Sequence, residues 1–117
     1  MNVYFDDIEL SNIYLSRNIK FTKIIYSTQN YSVNGIWIKI KILENNSLQI
    51  KMPEKIRIIE NYIIKQYNSS KKYKCLPNEI MMNVSKSDSS SFILFNILGI
   101  SESIYSFKLN YKIFFIN

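Results

Sequence analysis

Phe21-Thr22-Lys23-Ile24-Ile25-Tyr26-Ser27-Thr28-Gln29-Asn30-Tyr31-Ser32-Val33-Asn34-Gly35-Ile36-Trp37-Ile38-Lys39-Ile40-Lys41-Ile42 is the stretch that decides the fold class. From residue 36 onward the pattern alternates strictly. Ile36, Ile38, Ile40 and Ile42 fall on one side, and Trp37, Lys39 and Lys41 on the other. A two-residue period built on β-branched side chains describes a strand with one buried face. Residues 21–27 form a second strand-like run, and Asn34-Gly35 supplies residues that accept positive φ where the chain returns. The connection is longer than a two-residue hairpin, so a loop around Tyr31 is expected, with 21–27 pairing against 36–42.

Further along, Leu48, Ile50 and Met52 alternate with Gln49 and Lys51 after the turn Glu44-Asn45-Asn46-Ser47, giving a third strand. At Pro53 the period changes. Proline suits a helix start, Glu54 complements the helix dipole, and Ile56, Ile59, Ile63 and Tyr67 line up on one helical face. Residues 53–67 therefore read as the helix, its buried stripe those four residues, ended by Asn68-Ser69-Ser70. Lys71-Lys72-Tyr73-Lys74 reads as an irregular connection, an exposed basic loop before Pro77. Residues 79–86 read as a strand and Ser87-Asp88-Ser89-Ser90-Ser91 as a flexible turn. Residues 92–101 and 106–116 make a final antiparallel pair. In the last strand Phe107, Leu109, Tyr111, Ile113 and Phe115 oppose Lys108, Asn110 and Lys112. Residues 1–15 are expected to form an N-terminal acidic arm or edge strands, with room for one or two further strands within 3–15. The expectation is a single α+β domain over residues 1–117, mainly antiparallel, with about six strands. Its core at 21–116 runs β-β-β-α-β-β-β, as an OB-like barrel or as a sandwich.

The 117-residue length suits one core. Isoleucine (22 residues), asparagine (14) and tyrosine (9) are abundant while glycine and proline number 2 each, a bias that AT-rich coding DNA produces. Net charge is +6 and uneven: Asp6, Asp7 and Glu9 make the first ten residues acidic, and the remainder is basic. A basic body suits an anionic partner. Cys75 is the single cysteine, which excludes an internal disulfide and reads as a buried structural thiol in a reducing compartment. The first residues lack the pattern of a signal peptide, so secretion is not expected. The most apolar run, residues 92–100, is about half the ~20 residues of a membrane span.

There is no histidine, which removes the commonest general base and zinc ligand. No cysteine cluster, phosphate-cradling glycine loop or nucleophile elbow occurs. No catalytic residue, metal site or cofactor is nominated, and enzyme activity is not expected. The one binding constellation is Trp37, Lys39 and Lys41 on the outer side of one strand with Lys108 and Lys112 similarly placed on another. Aromatic rings stack bases while lysines follow phosphates, which is how single-strand binders work. If the two strands adjoin, their outer sides form a groove. The competing reading is a solvated sheet face whose tryptophan is covered by a neighbour.

Three segments together resemble small proteins of nucleocytoplasmic large DNA viruses. The first is Phe21-x-Lys23-Ile24-Ile25-Tyr26-Ser27 followed by Val33-Asn34-Gly35-Ile36-Trp37-Ile38. The second is Ile59-Glu60-Asn61-Tyr62-Ile63-Ile64-Lys65-Gln66-Tyr67 followed by Lys72-Tyr73-Lys74-Cys75-Leu76. The third is Ile97-Leu98-Gly99-Ile100-Ser101-Glu102 through Leu109-Asn110-Tyr111-Lys112-Ile113, where that family commonly reads Ile-Ser-Gly-Ile-Trp-Glu and then Gly-Leu-Thr-Tyr-Lys. The chain departs from it at Ser101, where the family often has tryptophan, and at Phe107 or Lys108, where it often has glycine. The resemblance implies a viral origin and no mechanism. The leading expectation is a non-catalytic structural or interaction protein docked to other chains of a larger assembly, such as a minor virion component, located in the virion or host cytoplasm. The rivals are a single-stranded nucleic-acid-binding module and an accessory subunit of a nucleoprotein machine.

Overall fold

A computed structural model describes residues 3–4, 8–18, 21–41, 49–81 and 92–116. The strands are β1 (Val3–Tyr4), β2 (Ile13–Arg17), β3 (Phe21–Ser27), β4 (Ser32–Asn34), β5 (Ile36–Lys41), β6 (Gln49–Lys51), β7 (Lys72–Lys74), β8 (Glu79–Met81), β9 (Phe92–Glu102) and β10 (Ser106–Ile116). The helix α1 covers Glu54–Tyr67. Eight of the strands share one mixed, mostly antiparallel sheet, and β6 pairs with β8 in a separate ladder. This is the expected α+β architecture. Among the described residues β1 and β7 end the sheet's main path, and no pairing between them closes it.

β9 is the spine of the sheet. β10 runs along one edge of it for its full length. The opposite edge is divided, with β5 pairing to Phe92 through Ile97 and β3 to Gly99 through Ser101. The expected hairpin between 21–27 and 36–42 is therefore corrected. β3 pairs with the short β4 and with β2, while β5 leaves it to join β9 on one side and β1 on the other. Gly35 makes that departure. Its φ is +82°, a value that costs a side-chain-bearing residue strain, and its N–H donates to the Ile24 carbonyl at 2.6 Å. Leu98 is the extra residue of a bulge in β9, since Asn110 faces Gly99 and Tyr111 faces Ile97. The bulge shifts the inward set from Ile93, Phe95 and Ile97 to Ile100, and all four are buried.

The inner face of the sheet and the helix share one core. Ile24, Tyr26, Ile36, Ile38, Phe95, Ile97, Phe107 and Leu109 meet Ile56, Ile59, Ile63 and Tyr67 in a single cluster. Each isoleucine taken fully out of water contributes about 1.5–3 kcal/mol, so the helical stripe alone anchors α1. Pro53 precedes the first turn with extended ψ (144°), and Asn68 ends the helix in the left-handed region at φ 49°. Two further readings are corrected. Lys72–Lys74 is a strand parallel to β10, because Tyr73 turns inward while its two lysines turn out. Cys75 is exposed, since Leu76 beside it takes the buried position. The turns at 44–47 and 87–91, and most of the strand expected at 79–86, lie outside the described residues. No described helix is long and apolar enough to cross a membrane.

Candidate nucleic-acid interface

The face of the sheet away from α1 is built by register. Trp37, Asn96 and Lys112 form one row across β5, β9 and β10. Lys39, Leu94 and Phe114 form the next row. Lys23, Gly99 and Asn110 form a third across β3, β9 and β10. At the far edge Lys74 lies opposite Lys108 and Lys72 opposite Ser106. The expected site residues thus share one face, but their strands do not adjoin: β9 separates β5 from β10. The groove expected between two neighbouring strands is replaced by a platform three strands wide. Lys41 occupies the register position opposite Phe92, and its side chain lies outside the described residues.

At the centre of the platform, Trp37 and Phe114 lean towards each other over β9, with ring centroids 6.3 Å apart and planes 17° from parallel. The indole N–H donates to the Asn34 carbonyl at 3.1 Å, which fixes the ring against the turn at Gly35. Beneath the rings, Leu94 is 8% and Asn96 1% exposed although both lie on the outer face. Trp37 is therefore half-buried, with Phe114 of β10 as its ring neighbour. Lys39 places its ammonium 4.3 Å above the Phe92 ring, a cation–π contact. Lys23, Lys72, Lys74, Lys108 and Lys112 are exposed on the same side. The described carboxylates are all elsewhere. Glu54 and Glu60 are on α1, Glu79 is in the β6–β8 ladder, Glu9 precedes β2, and Glu102 lies opposite inward-facing Phe107. The alternation in residues 36–42 and 106–116 made Trp37, Lys39, Lys108 and Lys112 legible. The same alternation puts Phe114 on the side of Lys112, but that it meets Trp37, and that Lys23, Lys72 and Lys74 join the face, depends on which strands lie side by side.

The inner side carries a second polar group, where α1 ends. The Tyr67 hydroxyl donates to Glu102 Oε1 at 2.5 Å, and Lys71 Nζ reaches Glu102 Oε2 at 3.0 Å and the Ser103 carbonyl at 2.9 Å. Arg17 bonds to the Tyr67 carbonyl and lies 4.8 Å over its ring. Tyr67, Lys71, Glu102 and Ser103 line a cleft of about 540 Å³ with Asn18, Phe21, Thr22 and Ile100. Its charges satisfy one another, so it acts as a clasp holding the helix end to the sheet. The hydrogen bond from Tyr67, then that from Lys71, holds the Glu102 carboxyl below its ordinary value of 4.5. Burial, then the bond to Glu102, pushes the Tyr67 hydroxyl above 10.0. A lowered acid stabilises the fold above its unfolded value and loses that contribution as pH falls through the folded one. A raised tyrosine stabilises below its unfolded value and loses that contribution as pH rises. Urea midpoints are expected to fall below pH ~4.5 and above pH ~10, with no titration by this pair in between. Glu102→Gln is expected to flatten the acid limb.

Among the described residues no group of three or more metal-ligating side chains occurs. Comparison of the chain with protein-family models, with curated proteins and with solved structures found no match in any of the three. The viral resemblance accordingly rests on the segments quoted above.

Proposed function

We propose that the protein is a non-catalytic module that holds single-stranded nucleic acid on the helix-free face of its sheet. The observation that carries this reading is a platform bearing six described lysines (Lys23, Lys39, Lys72, Lys74, Lys108, Lys112) and no described carboxylate, centred on the Trp37–Phe114 pair. Lysines that follow phosphates and release counterions supply sequence-independent affinity, and aromatic rings supply stacking. Trp37 is the only tryptophan, so its fluorescence reports on the platform alone. Oligo-dT is expected to quench it at low salt, with affinity falling steeply as salt rises. Joint replacement Lys108→Glu and Lys112→Glu, both at exposed positions, is expected to weaken binding more than tenfold and to make the salt dependence shallower by about 1.4 in log–log slope, at ~0.7 per phosphate contact. Unchanged affinity in that double variant would remove the platform from the interface.

A second reading, docking into a larger protein assembly such as a virion of a large DNA virus, is supported by the β9–β10 turn. Ile104 and Tyr105 at its tip are 81% and 82% exposed. The tip is held rigid by Ser103 and Ser106, which bond to each other through backbone and side chains. Mass spectrometry of purified particles tests it: a fixed ratio to the capsid protein is expected, and absence from particles ends this reading.

A further inference from the structure

Resting on the nucleic-acid reading above, we propose that Trp37 and Phe114 are the walls of a slot that takes one unpaired base, with the Asn96 amide oxygen at its floor as the hydrogen-bond acceptor for the base edge. The walls come from β5 and β10 and the floor from β9 between them, so the slot is made of sheet and needs no loop to form. A base held between two rings requires two stacking intervals of about 3.4 Å, or ~6.8 Å between the outer rings. The Trp37 and Phe114 centroids are already 6.3 Å apart with planes near parallel. Admitting a base asks the two rings to move apart until a stacking interval opens on each side of it, and the Phe114 ring, 42% exposed, is the one with room to move, since the indole is tied to Asn34.

The floor supplies the second, independent observation. Asn96 is 1% exposed, and its Oδ1 is the one buried side-chain oxygen or nitrogen without a hydrogen-bond partner among the described residues. Buried polar atoms are almost always paired, and an unpaired one calls for an explanation. Oδ1 occupies the space left by the missing side chain of Gly35, where a Cβ would come within 2.9 Å of it, and Asn96 itself is the register partner of Trp37. An N–H on the edge of an inserted base would give Oδ1 its partner, while Leu94 on the same floor offers the base an apolar contact. Lys112, beside Asn96, and Lys39, beside Leu94, stand at the two sides of the slot, where the flanking phosphates of an extended strand would pass.

The test uses the full chain and two probes of equal length, oligo-dT and an abasic deoxyribose-phosphate oligomer, read by Trp37 fluorescence and by anisotropy competition. The slot predicts that oligo-dT quenches Trp37 and binds at least tenfold tighter than the abasic probe, which binds through phosphates with little quenching. Asn96→Leu removes the acceptor and leaves no orphaned atom, so it is expected to fold. It should weaken oligo-dT about five- to tenfold while leaving abasic affinity and the salt dependence unchanged. Equal binding and equal quenching by the two probes, a comparison that needs no variant, would overturn the slot and leave the lysine platform standing. So would an Asn96→Leu protein that binds oligo-dT as the parent does. Failure of both probes to bind at low salt would overturn slot and platform together.

Discussion

Gly99→Ala is expected to be severely destabilising, costing about 3 kcal/mol or more. A Cβ at Gly99 would lie 2.3 Å from the Phe21 ring and 2.4 Å from the Thr22 carbonyl oxygen. The ring can rotate away. The carbonyl cannot, because Thr22 is paired to Ile100 in the short ladder that holds β3 on β9. Relief therefore means separating β3 from the spine of the sheet, and with it the buried residues Thr22, Ile24 and Tyr26. Urea unfolding followed by far-ultraviolet circular dichroism measures the loss. The variant Phe21→Leu, made together with Gly99→Ala, removes the ring contact and leaves the carbonyl contact. It should recover only a small part of the stability. Full recovery would mean that the ring alone made the site intolerant.

Glu60→Ala is expected to cost about 3–5 kcal/mol, the range for removing one partner of a buried, hydrogen-bonded charge. Glu60 is 3% exposed on the face of α1 that packs against the sheet. Its carboxylate accepts from Arg57 at 3.0 Å, from the Tyr73 hydroxyl at 2.5 Å and from the Leu76 N–H at 2.8 Å. Arg57 also donates to the carbonyls of Leu76 and Pro77 and to Asn78 Oδ1. One carboxylate thereby ties the helix to the whole segment from β7 to β8. Burial, then the hydrogen bond to Glu60, pushes the Tyr73 hydroxyl far above its ordinary value, so at neutral pH it is a donor. Alanine would strand that hydroxyl and a buried backbone N–H together. Glu60→Gln keeps the size and one acceptor and should cost about 1–3 kcal/mol. Equal, small losses in the two variants would mean that the segment is held by packing alone. Thermal melts of both proteins at neutral pH decide the point.

Much of the fold was readable from short-range pattern. The helix, its buried stripe and its end at Asn68 followed from spacing, and the β9–β10 pair emerged within one residue of its expected bounds. Positive φ at Gly35 was readable from the Asn-Gly pair. What misled was proximity along the chain. Residues 21–27 and 36–42 were expected to pair because they are neighbours in sequence, but β4 takes the place beside β3 and β9 captures β5. Lys72–Lys74 was too short to display its period, and the pattern of one inward tyrosine between two outward lysines acquired meaning only beside β10. The role of Glu60 was not legible in the sequence, because its partners Tyr73 and Leu76 lie beyond the helix end.

The candidate site divides along the same line. Alternation within a strand is a property of the pleated backbone, so the sequence by itself determined that Trp37 shares a side with Lys39, and Lys108 with Lys112. Which strands stand next to each other depends on burying isoleucine faces against α1 and on two glycines that let β3 and β5 approach one spine. Only the tertiary structure therefore decided that Phe114 faces Trp37 across β9. The same packing laid an unpaired amide beneath the two rings and kept the described carboxylates off that face.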